Sequence, residues 1–413
     1  EFELWQKLGG SGELLDELKH WKCIHGRDLR KADYNLESPQ SENDRIGHVL
    51  IKYQSLLLTV IKEEPNSHLL AIKTRRNLYK NFCSCIFPLN SRYLSIGNQF
   101  QRLSKWIEEN GKDESVVHEL LKMHENRFQG GEISTLKFKL GALCYKTIDK
   151  ALENCNFRFS SSYAFRGTSI PLSNLLEVRE RVKNLSSGIV ELLKEKLESI
   201  MLLSNGSPFG YLFLVILREN LNVYEIEETL KILHLIFRIY DDPWFNEHFS
   251  AKIPILYSKS MFFRHMELWH IDRDYAHYHR IILFGKDLYN EFIETRPTSN
   301  IENNFEEDLI REKLNLSRYL HQIHAERVKP AVFEAISIHY PRIYLFQKMG
   351  WSPTTLEEAI FHYEKLKDPR ETILAKTFFE KYGRKNIHDI KLAMTDNEFD
   401  EAWAFLRNEI SLN

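Results

Sequence analysis

Apolar residues recur along most of the chain at the spacing of an α-helix. From Ile46 onward they fall three and four positions apart, which places them on one face of a helix. Two segments show this most clearly. Their apolar positions are Leu193, Leu197, Ile200 and Met201, and then Ile226, Leu230, Leu233, Ile236, Phe237 and Tyr240. The pattern predicts an amphipathic helix at each place.

Helix starts are marked along the chain by capping residues. Ser207, Ser352 and Asp368 each stand directly before a proline, and an N-cap residue followed by proline is typical of the first turn of a helix. Thr395 and Glu398 have the spacing of a capping box. These signals predict a succession of separate helices.

Strand-like alternation is rare, and its best instance covers residues 156–165. This segment follows a predicted helix at 135–153 and precedes another that starts near Ser173. We therefore expect an extended loop or a short hairpin inside an otherwise helical body.

Composition favours the same fold class. The 413 residues include only 17 Gly and 12 Pro, whereas sandwiches, barrels and nucleotide-binding α/β folds use both residues in turns and phosphate loops. The sequence predicts an all-α protein: an irregular multi-helix domain with one extended or hairpin-like loop, plus a small helical C-terminal unit. The predicted parts are an N-terminal segment and linker at 1–46, a main helical domain at 47–340 and the C-terminal unit at 341–413.

Charge and cysteine content argue against several functions. With 56 Lys and Arg against 58 Asp and Glu, the chain lacks the basic excess of nucleic-acid-binding proteins. Five scattered cysteines in a chain of this size indicate a reduced, cytoplasmic environment. No apolar run approaches the roughly 20 residues of a membrane-spanning helix, so we expect no membrane span.

Sequence motifs of the common enzyme classes are absent: P-loop, dinucleotide-binding, nucleophile-elbow, zincin and paired CxxC patterns do not occur. Cys83 and Cys85 lie in an apolar stretch, so we expect packed thiols there. An aspartate pair at 241–242 and the pair Asp272 and Asp274 resemble cation-binding patterns. Such pairs arise often by chance among 58 acidic residues, and the first stands before a proline, as turn residues do.

A histidine-dense stretch at 264–279 is the main candidate for metal binding. Its histidines are His265, His270, His277 and His279. Zinc sites usually place two ligands three or four positions apart on one helix, but neighbouring pairs here are five or two positions apart. His321 and His324 do have a three-residue spacing, without an identifiable third ligand. The spacing favours helix-surface or interhelix packing, with a metal site as the alternative.

The segment at 157–171, here called the arginine loop, breaks the helical pattern and places an arginine directly before a glycine. Arg166 is followed by Gly167, which permits unusual backbone angles and the close approach of another chain. Thr168 and Ser169 add hydroxyl groups, and aromatic residues in the segment can anchor it. An anchored loop that presents one guanidinium is what an arginine finger requires at a transferring phosphoryl group.

Other roles compete for Arg166. A structural ion pair is the simplest. An ADP-ribosyltransferase arginine would need a Ser-Thr-Ser strand, which is missing, and a Glu-x-Glu turn, whereas the Glu-x-Glu at 225–227 lies on a predicted helix. If Arg166 is a finger, Arg158, Arg179 and Arg181 are weaker candidates for orienting it or for contacting a partner.

The arginine loop resembles the catalytic region of the LepB-like Rab GTPase-activating effectors of Legionella. The resemblance rests on residues 161–168, Ser-Ser-Tyr-Ala-Phe-Arg-Gly-Thr, within a helical body, and would cover most of the chain. It implies that Arg166 acts as the finger on a bound small GTPase of the Rab family, which brings the catalytic glutamine, the GTP and the Mg²⁺. It implies no cofactor or metal of the protein's own. It also implies secretion into the host cytoplasm and action at host or vacuolar membranes.

Two further functions stay open on the sequence alone. A non-catalytic helical interaction module would use the histidine-dense stretch as a binding surface, and its partner binding would not depend on Arg166. A metal-dependent hydrolase would use the same histidines as ligands, and the purified protein would then carry stoichiometric metal.

Overall fold

The computed structural model describes residues 39–63, 68–90, 93, 96, 99–110, 122, 125, 136–153, 173–204, 211–239, 245, 249, 253–268, 273, 276–277, 280–295, 305–350, 352, 356–367, 369–383 and 387–411. The extended segment predicted at 156–165 lies outside these residues.

Helices make up most of the described chain, so the prediction of a predominantly α-helical fold is confirmed. The helices before the sheet are α1 (Pro39–Ile61), α2 (His68–Ile86), α3 (Gln99–Asn110), α4 (Leu136–Glu153) and α5 (Ser173–Leu193). Those interleaved with the strands are α6 (Val223–Ile239), α7 (Lys259–Leu268) and α8 (Leu288–Thr295). The last are α9 (Phe305–Glu326), α10 (Lys329–Glu334), α11 (Tyr340–Met349), α12 (Leu356–Leu366), α13 (Pro369–Tyr382), α14 (Ile387–Ala393) and α15 (Asp396–Ser411). Among the described residues no helix combines the length and apolar character that crossing a membrane requires.

A small four-stranded sheet lies within the helical body. Its strands are β1 (Leu197–Ser204), β2 (Tyr211–Leu217), β3 (Ile255–Tyr257) and β4 (Arg280–Gly285), in the order β3-β2-β1-β4. Strand β1 is antiparallel to both of its neighbours, with Ile200 opposite Val215 of β2 and Phe284 of β4. Strand β3 runs parallel to β2, and α6 lies between them in the chain.

The helix predicted from Leu193 through Met201 is wrong in its second half. Leu193 is the last residue of α5, but Leu197, Ile200 and Met201 belong to β1. All seven residues of β2 are buried, and a buried strand needs partners for its backbone N–H and C=O groups, which β1 provides. The apolar spacing of residues 197–201 fits a helix as well as a buried strand, and the pairing with β2 decides for the strand.

The helix predicted from Ile226 is confirmed as α6. Its buried apolar face consists of Ile226, Leu230, Leu233, Ile236 and Phe237. Tyr240 lies outside the described residues. Asn222 and Glu225 form a capping box at its start. The Asn222 N–H donates to Glu225 Oε2 at 2.7 Å, and the Glu225 N–H donates to Asn222 Oδ1 at 3.0 Å.

Buried apolar side chains form two separate clusters. The first core extends from Ile46 to Phe292 and includes the sheet. The second core extends from Leu316 to Leu406, among α9 to α15. The second core therefore takes in residues on both sides of position 340, where the sequence predicts the end of the main domain.

Two local features shape the helices of the second core. A π-helical segment, Ala335–His339, joins α10 to α11. At the start of α15 the predicted capping box is confirmed: the Thr395 N–H donates to Glu398 Oε2 at 2.9 Å, and the Glu398 N–H donates to Thr395 Oγ1 at 3.2 Å. The helix thus begins where the sequence predicts.

The proline-linked caps lie only partly within the described chain. Ser207 and Asp368 lie outside the described residues. Helix α13 begins at Pro369, where an N-cap at Asp368 predicts its start. Ser352 is buried, and α12 begins at Leu356.

Gly285 ends β4 in a conformation that only glycine adopts easily. Its φ is +74°, and a Cβ atom there would lie 2.1 Å from the carbonyl oxygen of Glu198. Gly350 has nearly the same φ, +75°, with open space around it. We expect Gly350→Ala to cost about 1–2 kcal/mol for the left-handed backbone alone, and Gly285→Ala to cost clearly more because of the added contact.

Urea unfolding followed by circular dichroism measures both losses. Equal losses in the two variants would show that the backbone angle alone, and not the approach of Glu198, makes glycine necessary at the end of β4.

Candidate functional site

The residues predicted to form the catalytic loop fall between α4 and α5, in a part of the chain that the structure does not describe. They are Arg158, Arg166, Gly167, Thr168 and Ser169. The structure does describe the two helices that border this segment, and these helices fix where the loop leaves and re-enters the fold.

Helix α4, which leads into the arginine loop, is held in the first core along its length. Ile148 and Leu152, in its last two turns, are buried. Near its middle, Gly141 allows close approach to α6, because a Cβ atom there would lie 2.9 Å from Leu230 Cδ1. In its first turn the buried Lys137 donates from Nζ to a backbone carbonyl just beyond α1, at 3.0 Å. The start of the loop is therefore attached to a fixed helix.

Helix α5, which follows the loop, is anchored by one apolar face. Val182, Leu185 and Ile189 are buried, and the helix packs against α6, β1 and β4. Arg179 and Arg181, the weaker candidates for partner contacts, are both exposed on this helix. The described part of α5 therefore presents positive charge to solvent close to the loop in sequence.

His265, in the histidine-dense stretch, is a core residue of α7. Its side chain is 2% exposed. Its Nδ1 lies 3.2 Å from the hydroxyl of Tyr257, and that hydroxyl accepts a hydrogen bond from Gln54 Nε2 at 2.9 Å. The Tyr257 hydroxyl therefore bridges Gln54 on α1 and His265 on α7. His265 therefore joins α7 to β3 and α1 by interhelix packing.

His277 lies apart from this contact and packs against a different ring. Its ring centroid is 6.1 Å from that of Tyr289. Burial and, after it, the neighbouring Arg280 guanidinium lower the pKa of His277. Arg280 donates to the carbonyl oxygen of His277 at 3.1 Å and binds both carboxylate oxygens of Asp287. This arginine ties the entry of β4 to the start of α8.

The residues of the predicted metal and thiol patterns lie partly inside and partly outside the described chain. His270, His279 and the aspartate pairs at 241–242 and 272/274 lie outside the described residues. Within the described ranges no group of three or more His, Cys, Asp or Glu residues is arranged to hold a metal ion. Cys83 and Cys85 are buried thiols, as predicted, and burial raises the pKa of Cys85.

His321 and His324, the pair with three-residue spacing, are both exposed on α9. The ring of His324 lies 6.2 Å from that of Trp403 on α15. In the described part of the chain His324 therefore makes an aromatic contact between α9 and α15.

A charged cluster in the second core was not predicted from the sequence. His339, the last residue of the π-helical segment, has Nδ1 2.5 Å from Glu312 Oε2 on α9. Arg342 on α11 donates from Nη1 to Glu312 Oε1 at 3.3 Å, and Tyr319 stacks on the His339 ring at 5.2 Å. Glu334 Oε2 lies 4.0 Å from His339 Nε2. We call Glu312, Glu334, His339 and Arg342 the π-turn cluster.

The two carboxylates of the π-turn cluster are shifted in opposite directions. Burial alone would raise the pKa of Glu312, but His339 and Arg342 outweigh it and hold this pKa below its ordinary value. For Glu334 burial wins over the same two groups, and its pKa is raised. Separated pKa values around a histidine can support proton transfer. The same contacts also join α9, the π-helical segment and α11.

Comparison with protein-family models, curated proteins and solved structures finds no match.

Opposite pKa shifts predict opposite effects of two matched substitutions. Glu312→Gln should destabilise the protein at neutral pH by about 3–5 kcal/mol, because it leaves His339 and Arg342 buried without their carboxylate. Glu334→Gln should be neutral or stabilising there, since the folded state favours the uncharged form of this group. Urea unfolding of both variants and the wild type at neutral and acidic pH measures the effects.

The pH dependence of the free energy of unfolding follows from the directions of these two pKa shifts. The contribution of Glu312 is complete above the ordinary glutamate pKa of about 4.3 and is lost as the pH falls through its lowered folded-state value. Glu334 has the opposite effect on stability, because the folded state binds its proton more tightly than the unfolded chain does. Its stabilising contribution is present at low pH and is lost as the pH rises through the raised folded-state pKa. Equal destabilisation by the two substitutions at neutral pH would contradict this assignment.

Proposed function

We propose that this protein activates a small GTPase of the Rab family and that Arg166 is the arginine finger. The observation that carries the proposal is the Arg-Gly pair in the least helical stretch predicted in the main domain, between two predicted helices. The resemblance of residues 161–168 to LepB-like activators points to the same residue and partner class.

The chemistry requires little beyond one well-placed guanidinium. GTP hydrolysis develops negative charge on the γ-phosphoryl group, and an arginine inserted in trans stabilises it with fixed donors and a permanent charge. Gly167 allows the GTPase backbone to approach, and Thr168 and Ser169 offer hydroxyl groups to hold the loop. The GTP and Mg²⁺ arrive with the GTPase, so the protein needs no cofactor of its own.

The anchoring of α4 and α5 supports this role. A finger is effective only if its loop starts and ends at fixed points, because ordering a long free segment on binding costs conformational entropy. Leu152 at the end of α4 and Val182 near the middle of α5 are buried in the first core. Only the segment between these helices then has to adapt to the partner.

The charge distribution agrees with an interface that depends on single residues. Net charge is only −2, so long-range attraction of the whole protein to a partner is weak. Arg179 and Arg181, exposed on α5, lie near enough in sequence to the loop to serve as partner contacts. The site of action would be the cytoplasm, and by the resemblance the cytoplasm of a host cell.

The decisive experiment measures GTP hydrolysis by a panel of Rab proteins with this protein added. Arg166→Ala should slow the stimulated reaction by roughly 10³-fold or more while partner binding and the helical circular-dichroism signal stay nearly unchanged. Arg166→Lys should also be poorly active, because lysine lacks the planar fork of donors.

Arg179→Ala is the matched control, since it removes an exposed arginine close to the loop. It should affect binding and leave the rate at saturation nearly unchanged. If Arg166→Ala binds the GTPase and stimulates hydrolysis as well as the wild type does, the finger assignment is wrong. Binding without stimulation by the wild type would instead identify the non-catalytic interaction module.

A further inference from the structure

One face of helix α2 carries only positive charges. The helix contains Lys73, Arg75, Arg76 and Lys80 and has neither aspartate nor glutamate. Lys73, Arg76 and Lys80 are exposed and follow one another at spacings of three and four residues, which places them in one row along the helix. We call these three residues the basic stripe. Among the described residues Lys73 and Lys80 have no ion-pair partner, so the charge of the stripe is not neutralised there.

Leu69 continues the row at the start of α2. It stands four positions before Lys73, on the same helix face, and its side chain is 80% exposed. From Leu69 to Lys80 the row covers three turns, a length of about 16 Å. This leucine adds nothing to the first core, and its side chain would gain free energy on leaving water for an apolar environment.

The opposite face of α2 holds the row in place. Leu78 and Phe82 are fully buried in the first core. Thr74, which is also buried, donates from its hydroxyl to Glu63 Oε2 at 2.8 Å. Glu63 is the described acidic residue nearest to α2 in sequence, and this bond engages it beside the buried face. The cations are therefore presented by a fixed helix, without a described acidic residue in their row.

We propose that the basic stripe and Leu69 bind an anionic membrane surface, with α2 lying parallel to the bilayer. A row of cations matches the phosphate and carboxylate groups of anionic lipids, and a leucine in the same row can reach the apolar layer beneath them. A nucleic acid or an acidic peptide offers the negative charges without a continuous apolar layer, so the exposed leucine favours lipid. The proposal does not depend on Arg166.

The net charge of the chain conceals this surface. It is only −2, so the protein as a whole is not attracted to anionic lipid. Attraction within a few ångströms of the bilayer depends instead on the charges that lie closest to it, because salt screens the more distant ones. A local row on a fixed helix can therefore bind where the average charge predicts no binding.

Sedimentation with lipid vesicles tests the proposal. The wild type should bind vesicles of phosphatidylcholine and phosphatidylserine in equal parts, and should not bind vesicles of phosphatidylcholine alone. Each Lys or Arg near an anionic surface raises the binding constant by about fivefold, so the three cations together contribute roughly 100-fold. Binding should be lost as sodium chloride approaches about 1 M, where charges are screened beyond about 3 Å.

Substitutions along the row have graded effects. Lys73→Gln together with Lys80→Gln should weaken binding to the mixed vesicles about 20-fold, and adding Arg76→Gln should bring the loss to roughly 100-fold. Leu69→Gln alone should weaken it at least about threefold, because the apolar contact with the bilayer is lost. All four side chains are exposed, so circular dichroism and the urea midpoint should stay nearly unchanged and show that each variant is folded.

Lys348→Gln together with Lys391→Gln is the matched control. This pair changes the net charge by the same amount, but the two exposed lysines come from α11 and α14 and share no helix face. Binding to the mixed vesicles should therefore stay close to that of the wild type.

Several outcomes would overturn the proposal. Equal binding of the wild type to both kinds of vesicle, or to neither, would show that anionic lipid is not recognised. An equal loss in the two lysine pairs would show that net charge controls binding and that the row does not. Binding of duplex DNA or polyglutamate without binding of the mixed vesicles would assign the stripe to a soluble polyanion. Full vesicle binding by Leu69→Gln would contradict the apolar contact.

Discussion

Pairing of the backbone groups of β1 is the constraint on which the first core depends. A peptide group buried without a partner costs as much as a lost hydrogen bond, so a strand inside the protein must be paired along both edges. Strand β1 satisfies this with β2 on one edge and β4 on the other. Ser199 adds a side-chain link, because its hydroxyl donates to the carbonyl oxygen of Lys286 at 2.7 Å. Helix α5 then packs on β1 and β4, and α7 packs on β2 and β3.

The sequence predicts the helices well where the signal is local. The face of α6 and the capping box at Thr395 depend on residues a few positions apart, and both are confirmed. Strand β1 was missed because its apolar residues fit helical spacing as well as strand burial, and the deciding partner, β4, lies some eighty positions downstream. The π-turn cluster was missed for a similar reason: Glu312 and His339 meet across two helices and share no motif. The arginine loop stays a sequence prediction, since it lies outside the described residues.

Several charged side chains of the described chain are held in pairs. Arg264 and Glu267 on α7 are both nearly inaccessible and bond at 2.5 Å, and Arg280 holds Asp287 with two of its nitrogens. A buried charge without a partner would be costly. The Arg280–Asp287 pair also links the entry of β4 to the start of α8. Arg264 is buried and Arg280 partly buried, whereas Arg179 and Arg181 on α5 are exposed.

The order of the strands has a consequence for synthesis of the chain. Because β4 follows β1, β2 and β3 in the described chain, β1 and β2 can form a hairpin during synthesis while the outer edge of β1 still has no β4 beside it. An exposed apolar edge is a site for association with other chains, and the closing contact between Ile200 and Phe284 requires a long loop to be ordered first. Pairing of β1 with β4 joins residues far apart in sequence, so we expect the first core to fold more slowly than the helices after α9.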